Sequence, residues 1–389
     1  ISQPSLAVGA DRFGTYIGGG ASLFWSDMLG GHNLATGVQF QGTTKDISAL
    51  LGYSNTYHRL NWGVALQQIP YRIGYIELGS LPHPETGQVL PVQRTTLYRQ
   101  TNRQADWIFA YPFSRVRRIE GTVGYANISY DIEQIDDYFN PVTFEHVDQF
   151  KTPLPAFPAL NLGQGSVALV YDNSLFAFTG PILGQRYRAE LGTTQGSLNF
   201  QTVLADYRKY VMPARPFTLA GRLLHYGRYG TDTTEANRMQ PLYLGYDGLV
   251  RGYSYRSFEA GDCSTVDCPE LSNLFGTKML VGNLELRFPP LGLFRAGGPF
   301  GFLPLDLFLF ADAGVAWGCT PRYSPAGCAA SGDKPFFLDG DRKAYYSAGG
   351  GFRFNFFGFV IAEMNVVHPF NRALGGRGTH VQWAFTPGF

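Results

Sequence analysis

Residues 304–314 read PLDLFLFADAG. Leu305, Leu307, Leu309, Ala311 and Ala313 share one parity, and Asp306, Phe308, Phe310, Asp312 and Gly314 share the other. That period of two belongs to a β-strand with chemically different faces. The same split in KMLVGNLELRF places Leu280, Leu284, Leu286 and Phe288 on one side and Asn283, Glu285 and Arg287 on the other. Near the C-terminus Val360, Ala362, Met364 and Val366 alternate with Ile361, Glu363, Asn365 and Val367. Segments of about ten residues with this alternation are what a membrane-spanning β-barrel requires. A midplane Arg or Lys on the lipid face costs roughly 2 to 4 kcal/mol, so the charged rows are assigned to a wet interior.

Composition narrows the choice further. A chain of 389 residues can hold two or three domains or one large barrel. Charged residues make up only 16%, against roughly 25% in an average soluble domain, while Phe and Tyr number 31 and 23. Part of the surface is therefore expected to meet something other than water. No helix can span a membrane, because that takes about 20 mostly apolar residues and the best run, Phe356 to Met364, is short and carries Glu363. A closed barrel is the remaining spanning solution, since hydrocarbon tolerates no unpaired backbone groups. A net charge of +1 with no block of like charge gives no footprint for nucleic acid. No G-x-S-x-G, H-E-x-x-H or P-loop is present, so no catalytic residue, metal or cofactor is expected and the chain does not read as an enzyme. No signal peptide is visible at Ile1, as expected of a trimmed exported chain.

Division at turn signals predicts about sixteen strands. They lie near 4–10, 15–27, 32–42, 45–54, 58–74, 93–111, 117–133, 163–172, 186–195, 198–210, 216–229, 277–288, 303–317, 344–356, 358–368 and 379–389. Residues 1–389 read as a single antiparallel barrel domain. Short links at 28–31, 55–57 and 357–358 read as periplasmic turns, and long links at 134–162 and 230–276 as external loops. Cys263 with Cys268 and Cys319 with Cys328 fall in two such external loops. C-x4-C followed by C-x8-C fits no usual zinc spacing, so the favoured reading is two loop disulfides in an oxidising compartment. Trp25, Trp62, Trp107, Trp317 and Trp383 stand near strand ends, where interfacial girdles and ordinary packing both fit.

VRGY at Val250–Tyr253, FADAG at Phe310–Gly314 and NLELRFP at Asn283–Pro289 resemble the signatures of the BamA/TamA outer-membrane assembly family, the bacterial surface antigens. In that family V-R-G-F/Y stands in the long sixth external loop and F-x-D-x-G in the thirteenth strand. The strand division above puts Val250–Tyr253 in the sixth long loop and Asp312 in the thirteenth strand. The resemblance implies that the loop folds back into the barrel, that Arg251 pairs with Asp312, and that Glu285 on the twelfth strand is a second acceptor. Gly252 then lets the backbone turn against the wall, and Tyr253 wedges beside it. The competing reading leaves Arg251 a solvated loop residue.

The C-terminal THVQWAFTPGF alternates Val381, Trp383 and Phe385 outward and ends in Phe389, resembling the terminal-strand signal of outer-membrane proteins. Pro387 cannot donate a ladder hydrogen bond, so the seam between last and first strands is expected to be weak there; the family's lateral gate and frayed termini both fit. Glu259, Asp262, Asp267 and Glu270 read as solvated loop acids rather than a cation site, and the Gly349–Gly351 triplet as relief of crowding in the wall. The resemblance implies a barrel of the bacterial outer membrane that inserts or translocates proteins, with outer-membrane lipid, lipopolysaccharide, and protein substrates or partner subunits around it. The family's periplasmic modules are not recognised in the chain. A non-translocating anchor, carrying or docking another domain or surface complex, is therefore the alternative.

Overall fold

Alternating sequence resolves into an almost wholly antiparallel β architecture. The computed structural model describes all residues except 1–4, 12–13, 178, 235–238, 266–267, 290–304, 319–333, 357–359, 374–377 and 388–389. The strands are β1 (Ser5–Asp11), β2 (Gly14–Ser26), β3 (His32–Gln41), β4 (Thr43–Asn55), β5 (Asn61–Pro82), β6 (Val89–Pro112), β7 (Arg117–Phe139), β8 (His146–Leu154), β9 (Leu160–Asp172) and β10 (Leu175–Phe176). They continue as β11 (Pro181–Gly196), β12 (Phe200–Ala214), β13 (Phe217–Tyr229), β14 (Leu242–Tyr243), β15 (Phe275–Gly276), β16 (Lys278–Phe288), β17 (Leu305–Trp317), β18 (Tyr345–Phe356), β19 (Val360–Pro369) and β20 (His380–Pro387). All but β14 and β15 belong to one 18-stranded sheet. Two of its members, β8 and the two-residue β10, are additions to sixteen strands that follow the predicted division. Among the described residues no helix is long and apolar enough to cross a membrane.

The chain divides into two compact units. The first holds residues 1–111, 121–165 and 194–198, and the second holds 112–120, 166–193 and 199–389.

In the first unit β5 and β6 pair without a break from Asn61↔Ala110 to Pro82↔Val89. Twenty-two residues at about 3.3 Å each extend roughly 70 Å, far more than a hydrocarbon layer of about 30 Å needs even for a tilted strand. The segment predicted as a long link, 134–162, also differs. β7 continues to Phe139 and β8 returns along it, Ile132 opposite Leu154. The stretch DIEQIDDYF is polar on both faces, so its period of two gives little signal. Its pairing is stabilised by Arg94, whose Nε and Nη2 reach Asp136 at 2.8 and 2.9 Å. Leu90, Val92 and Tyr138, backed by Leu81 and Phe150, form a small core in these hairpins. His83 packs edge-on against Tyr138 and Phe150, 5.1 and 5.3 Å between centroids.

In the second unit β12, β13, β16, β17, β18, β19 and β20 pair in sequence order. Register sets Asp312 opposite Asn283 and Ser347, Glu285 opposite Phe310, and Arg353 opposite Glu363. One row of β17 is buried, with Phe308, Phe310 and Asp312 at 1%, 5% and 2% exposure, while Leu309 on the other row is 58% exposed. Leu284 and Leu286 of β16 are exposed like Leu309. The faces of β16 and β17 thus follow the alternation of the sequence, whereas on β19 Ala362, of the row expected to face outward, is only 5% exposed.

Candidate functional site

The described residues of the 230–277 segment between β13 and β16 cover the buried row of the sheet. β14 and β15 make a short antiparallel ribbon at its neck, Leu242 opposite Gly276 and Tyr243 opposite Phe275. Inside it the backbone turns back, with Leu249 N donating to Tyr246 O at 2.8 Å and Val250 N to Leu244 O at 3.3 Å. Leu244, Val250, Tyr253 and Leu274 are fully buried and pack with Met279, Val281 and Ala316 of the wall. Burying those apolar side chains, at about 1.5 to 3 kcal/mol each, holds the loop down before any charge is considered.

Arg251 projects from this loop into the wall. Its Nε donates to Asp312 Oδ2 at 2.7 Å and its Nη2 to Asp312 Oδ1 at 2.8 Å. Its backbone N–H reaches Oδ2 at 3.2 Å, and Nη1 donates to Glu285 Oε1 at 2.9 Å. The guanidinium also lies 3.6 Å from the Phe310 ring centroid, a cation–π contact added to a bidentate pair. Asn283 Nδ2 donates to Asp312 Oδ1 at 2.9 Å and to Leu249 O at 2.7 Å, joining wall and loop through one amide. Burial by itself lowers the Arg251 pKa, but the hydrogen bond to Asp312 and the fields of Glu285, Asp312 and Glu363 outweigh it, so the guanidinium is held above its ordinary value. The cation is therefore permanent.

Further charges surround it. Arg287 Nε holds Glu285 Oε2 at 2.8 Å. Arg353 Nη2 reaches Glu363 Oε2 at 2.6 Å and Glu285 Oε1 at 3.5 Å. Three arginines and three carboxylates thus compensate one another where an unpaired charge would cost several kcal/mol. A polar cavity of about 190 Å³ opens beside them, lined in part by Arg208, Arg222, Asp247 and Asn283.

The other motif residues have steric roles. Gly252 has φ of +89°, and its N–H donates to Gln382 Oε1 of β20 at 2.8 Å. A Cβ there would lie 2.9 Å from Val367 Cγ2, so both conformation and space favour glycine. The Tyr253 hydroxyl donates to Tyr346 O at 2.7 Å and accepts from Asn371 N at 3.0 Å. Burial pushes its pKa up to about 12. Gly314 of FADAG lies under Val250 and Leu244. Within the glycine triplet, Gly349 and Gly351 lie beneath the rings of Phe310 and Phe308, whose Cζ atoms would be 2.8 and 3.1 Å from an added Cβ.

Several contacting residues carried no motif. Asp262, read from the sequence as a solvated loop acid, is fully buried, and its Oδ2 accepts from Arg372 Nη1 at 2.7 Å. Arg372, in the connection between β19 and β20, also donates to Gly252 O at 2.7 Å and Ser257 O at 2.8 Å. Glu270 accepts from Ser264 N at 3.1 Å. Gln382 of β20, the partner of Gly252, belongs to no motif. Cys263 and Cys268 form a disulfide just before the one-turn helix Pro269–Ser272. Cys319, Cys328, Asp267 and Phe389 lie outside the described residues. Val381, Trp383 and Phe385 form an exposed row on β20 at 53%, 55% and 67%. Among the described residues no group of three or more His, Cys, Asp or Glu is arranged to hold a metal ion. The arrangement pairs fixed charges beside a polar cavity; its chemistry is that of an anchor.

Comparisons with known proteins agree with this architecture. The model of the Omp85 superfamily domain matches residues 91–386. The structure of BamA from Haemophilus ducreyi lacking POTRA domains 1–3 has a TM-score of 0.59 at 14% identity, covering 99% of this chain and 70% of that one. CdiB from Acinetobacter baumannii has a TM-score of 0.46 at 11% identity, covering 98% of this chain and 58% of that one. No curated protein matches the chain by sequence. The likeness to BamA is one of fold, a transmembrane antiparallel β-barrel of about sixteen strands whose long sixth external loop folds inward.

Proposed function

The chain belongs to the Omp85 superfamily, and from that premise we propose that it acts at the bacterial outer membrane in the insertion or translocation of other proteins, with no covalent chemistry. The observation that carries this reading is the docking of Arg251 on Asp312 and Glu285. A channel lined with charge has no need of a buried loop held by a bidentate guanidinium, an aromatic face and a backbone turn on a glycine. An assembly barrel has such a need: its interior must stay braced while the wall is stressed by a passing or inserting chain. The exposed Val381, Trp383 and Phe385 row meets outer-membrane lipid, and lipopolysaccharide packs against the outer leaflet. Protein substrates or partner subunits engage the rest.

Arg251→Ala and Asp312→Ala test the reading. Each is expected to lower insertion or transport of client proteins while leaving a folded barrel in the membrane. Full activity in both variants would end the proposed role for the loop.

A further inference from the structure

The connection between β9 and β11 is tied to strands far from its own neighbours. Leu175 pairs with Leu183 and Phe176 with Pro181, so that β10 folds back on β11. Thr179 Oγ1, in the turn of this hairpin, donates to Asp306 Oδ2 on β17. The Pro181 carbonyl accepts from Arg287 Nη1 of β16 at 3.2 Å. The wall between Thr179 and Asp306 is made of β11, β12, β13 and β16, so this contact crosses the inner side of several strands. Thr179 is 5% exposed. The gap that Gly180 and Pro181 leave against Thr218, Arg287, Leu305 and Asp306 is about 10 Å³, too small for more than one water molecule.

Arg287 belongs to both ends of the charged row. Its Nε and Nη2 hold Glu285 Oε2 at 2.8 and 2.7 Å, and Glu285 Oε1 holds Arg251. β16 enters from the loop at Lys278 and ends at Phe288. Arg287 and Asp306 therefore stand at the end of the wall opposite to the point where the Arg251 loop enters.

We propose that residues 179–181 form a latch across the inner end of the barrel, held by Asp306 and Arg287, and that Arg287 couples this latch to the docked Arg251 loop. The inference rests on the barrel reading above. While Arg251 satisfies one oxygen of Glu285, Arg287 needs only the other and keeps Nη1 for the Pro181 carbonyl. When Arg251 withdraws, Glu285 Oε1 keeps only Arg353 Nη2, 3.5 Å away, and the buried carboxylate turns toward Arg287 for a full hydrogen bond, pulling its Nη1 off the Pro181 carbonyl. The carbonyl then loses its donor and the latch loosens. Loop undocking on one side thus opens the other.

Ion conductance of the full chain in planar lipid bilayers tests this, with folding verified by heat-modifiable electrophoretic mobility. Thr179→Val removes the donor without changing shape, and Asp306→Ala removes the acceptor. Losing a hydrogen bond to a charged group shifts the ratio of released to latched states about tenfold, read as a matching rise in the fraction of time spent open. Arg251→Ala is expected to raise openings too, and Thr179→Val to add little in that background. Wild-type conductance in folded Thr179→Val and Asp306→Ala would overturn the latch. Fully multiplicative effects of Thr179→Val and Arg251→Ala would overturn the coupling. Conductance requires no client protein, so a chain that gates as described yet moves no client would refute the proposed function and leave the latch standing.

Discussion

Gly314 lies directly beneath Val250: a Cβ added to it would be 2.7 Å from Val250 Cγ2 and 2.8 Å from Leu244 Cδ1. The wall is thinned there so that the loop can come down far enough for Arg251 to reach Asp312, two residues along the same row. Gly314→Ala is therefore expected to lift the loop, at a cost of about 1 to 3 kcal/mol from overpacking. Limited proteolysis of the 245–276 segment in the membrane checks it. Cleavage faster than in the wild type is expected, and faster again in Gly314→Val.

The pair formed by Arg372 and Asp262 gives a second expectation. Side-chain exposure is 3% and 0%, so removing one partner strands a charge in a dry place. Arg372→Ala or Asp262→Ala alone should destabilise the loop by about 3 to 5 kcal/mol. The double variant should cost clearly less than the sum of the two, because it strands no charge. Thermal denaturation of the refolded barrel in detergent, run as a double-mutant cycle, measures the difference. Strict additivity would show that the two charges do not interact.

The long β5–β6 and β7–β8 hairpins are expected to respond to acid. Asp136 lies beyond the part of β7 needed to span a bilayer, and the hydrogen bond from Arg94 holds its pKa below the ordinary carboxylate value. A carboxylate with a depressed folded-state pKa stabilises above its unfolded pKa of about 3.9, and that contribution disappears as pH falls through the folded value. The hairpin contact is therefore complete above about pH 4 and loosens below it. Pepsin cleavage near the 140–145 tip should rise steeply below that pH in the wild type. With each rate taken relative to that of an unfolded reference peptide, Asp136→Asn should be cleaved readily throughout the acid range in which pepsin is active, with a flatter profile.

The strands were legible wherever one face is lipid and the other polar, because Leu305, Leu307 and Leu309 alternating with Asp306, Phe308 and Phe310 admit only one period. Asp312 and Glu285 were legible as inner carboxylates for the same reason. Their cation was not legible from alternation, since Arg251 is in a loop without period; the VRGY and FADAG resemblance supplied it. Arg372 and Asp262 escaped because both stand in connections, far apart in sequence, with no pattern joining them. The β7–β8 hairpin escaped because strands polar on both faces look like loops. Thr179 offered nothing to see: one threonine in a turn gains its meaning only when Asp306 is beside it.

The central claim is that the VRGY loop is packed against the wall with Arg251 inside. Val250→Cys and Tyr246→Cys place a thiol at two points of the same loop, one fully buried and one 64% exposed. Maleimide labelling in intact outer membranes, read by mass spectrometry of the labelled peptide, compares them directly. The docked loop predicts rapid labelling of Tyr246→Cys and protection of Val250→Cys until the barrel is denatured. Equal labelling rates at the two positions before denaturation would contradict it.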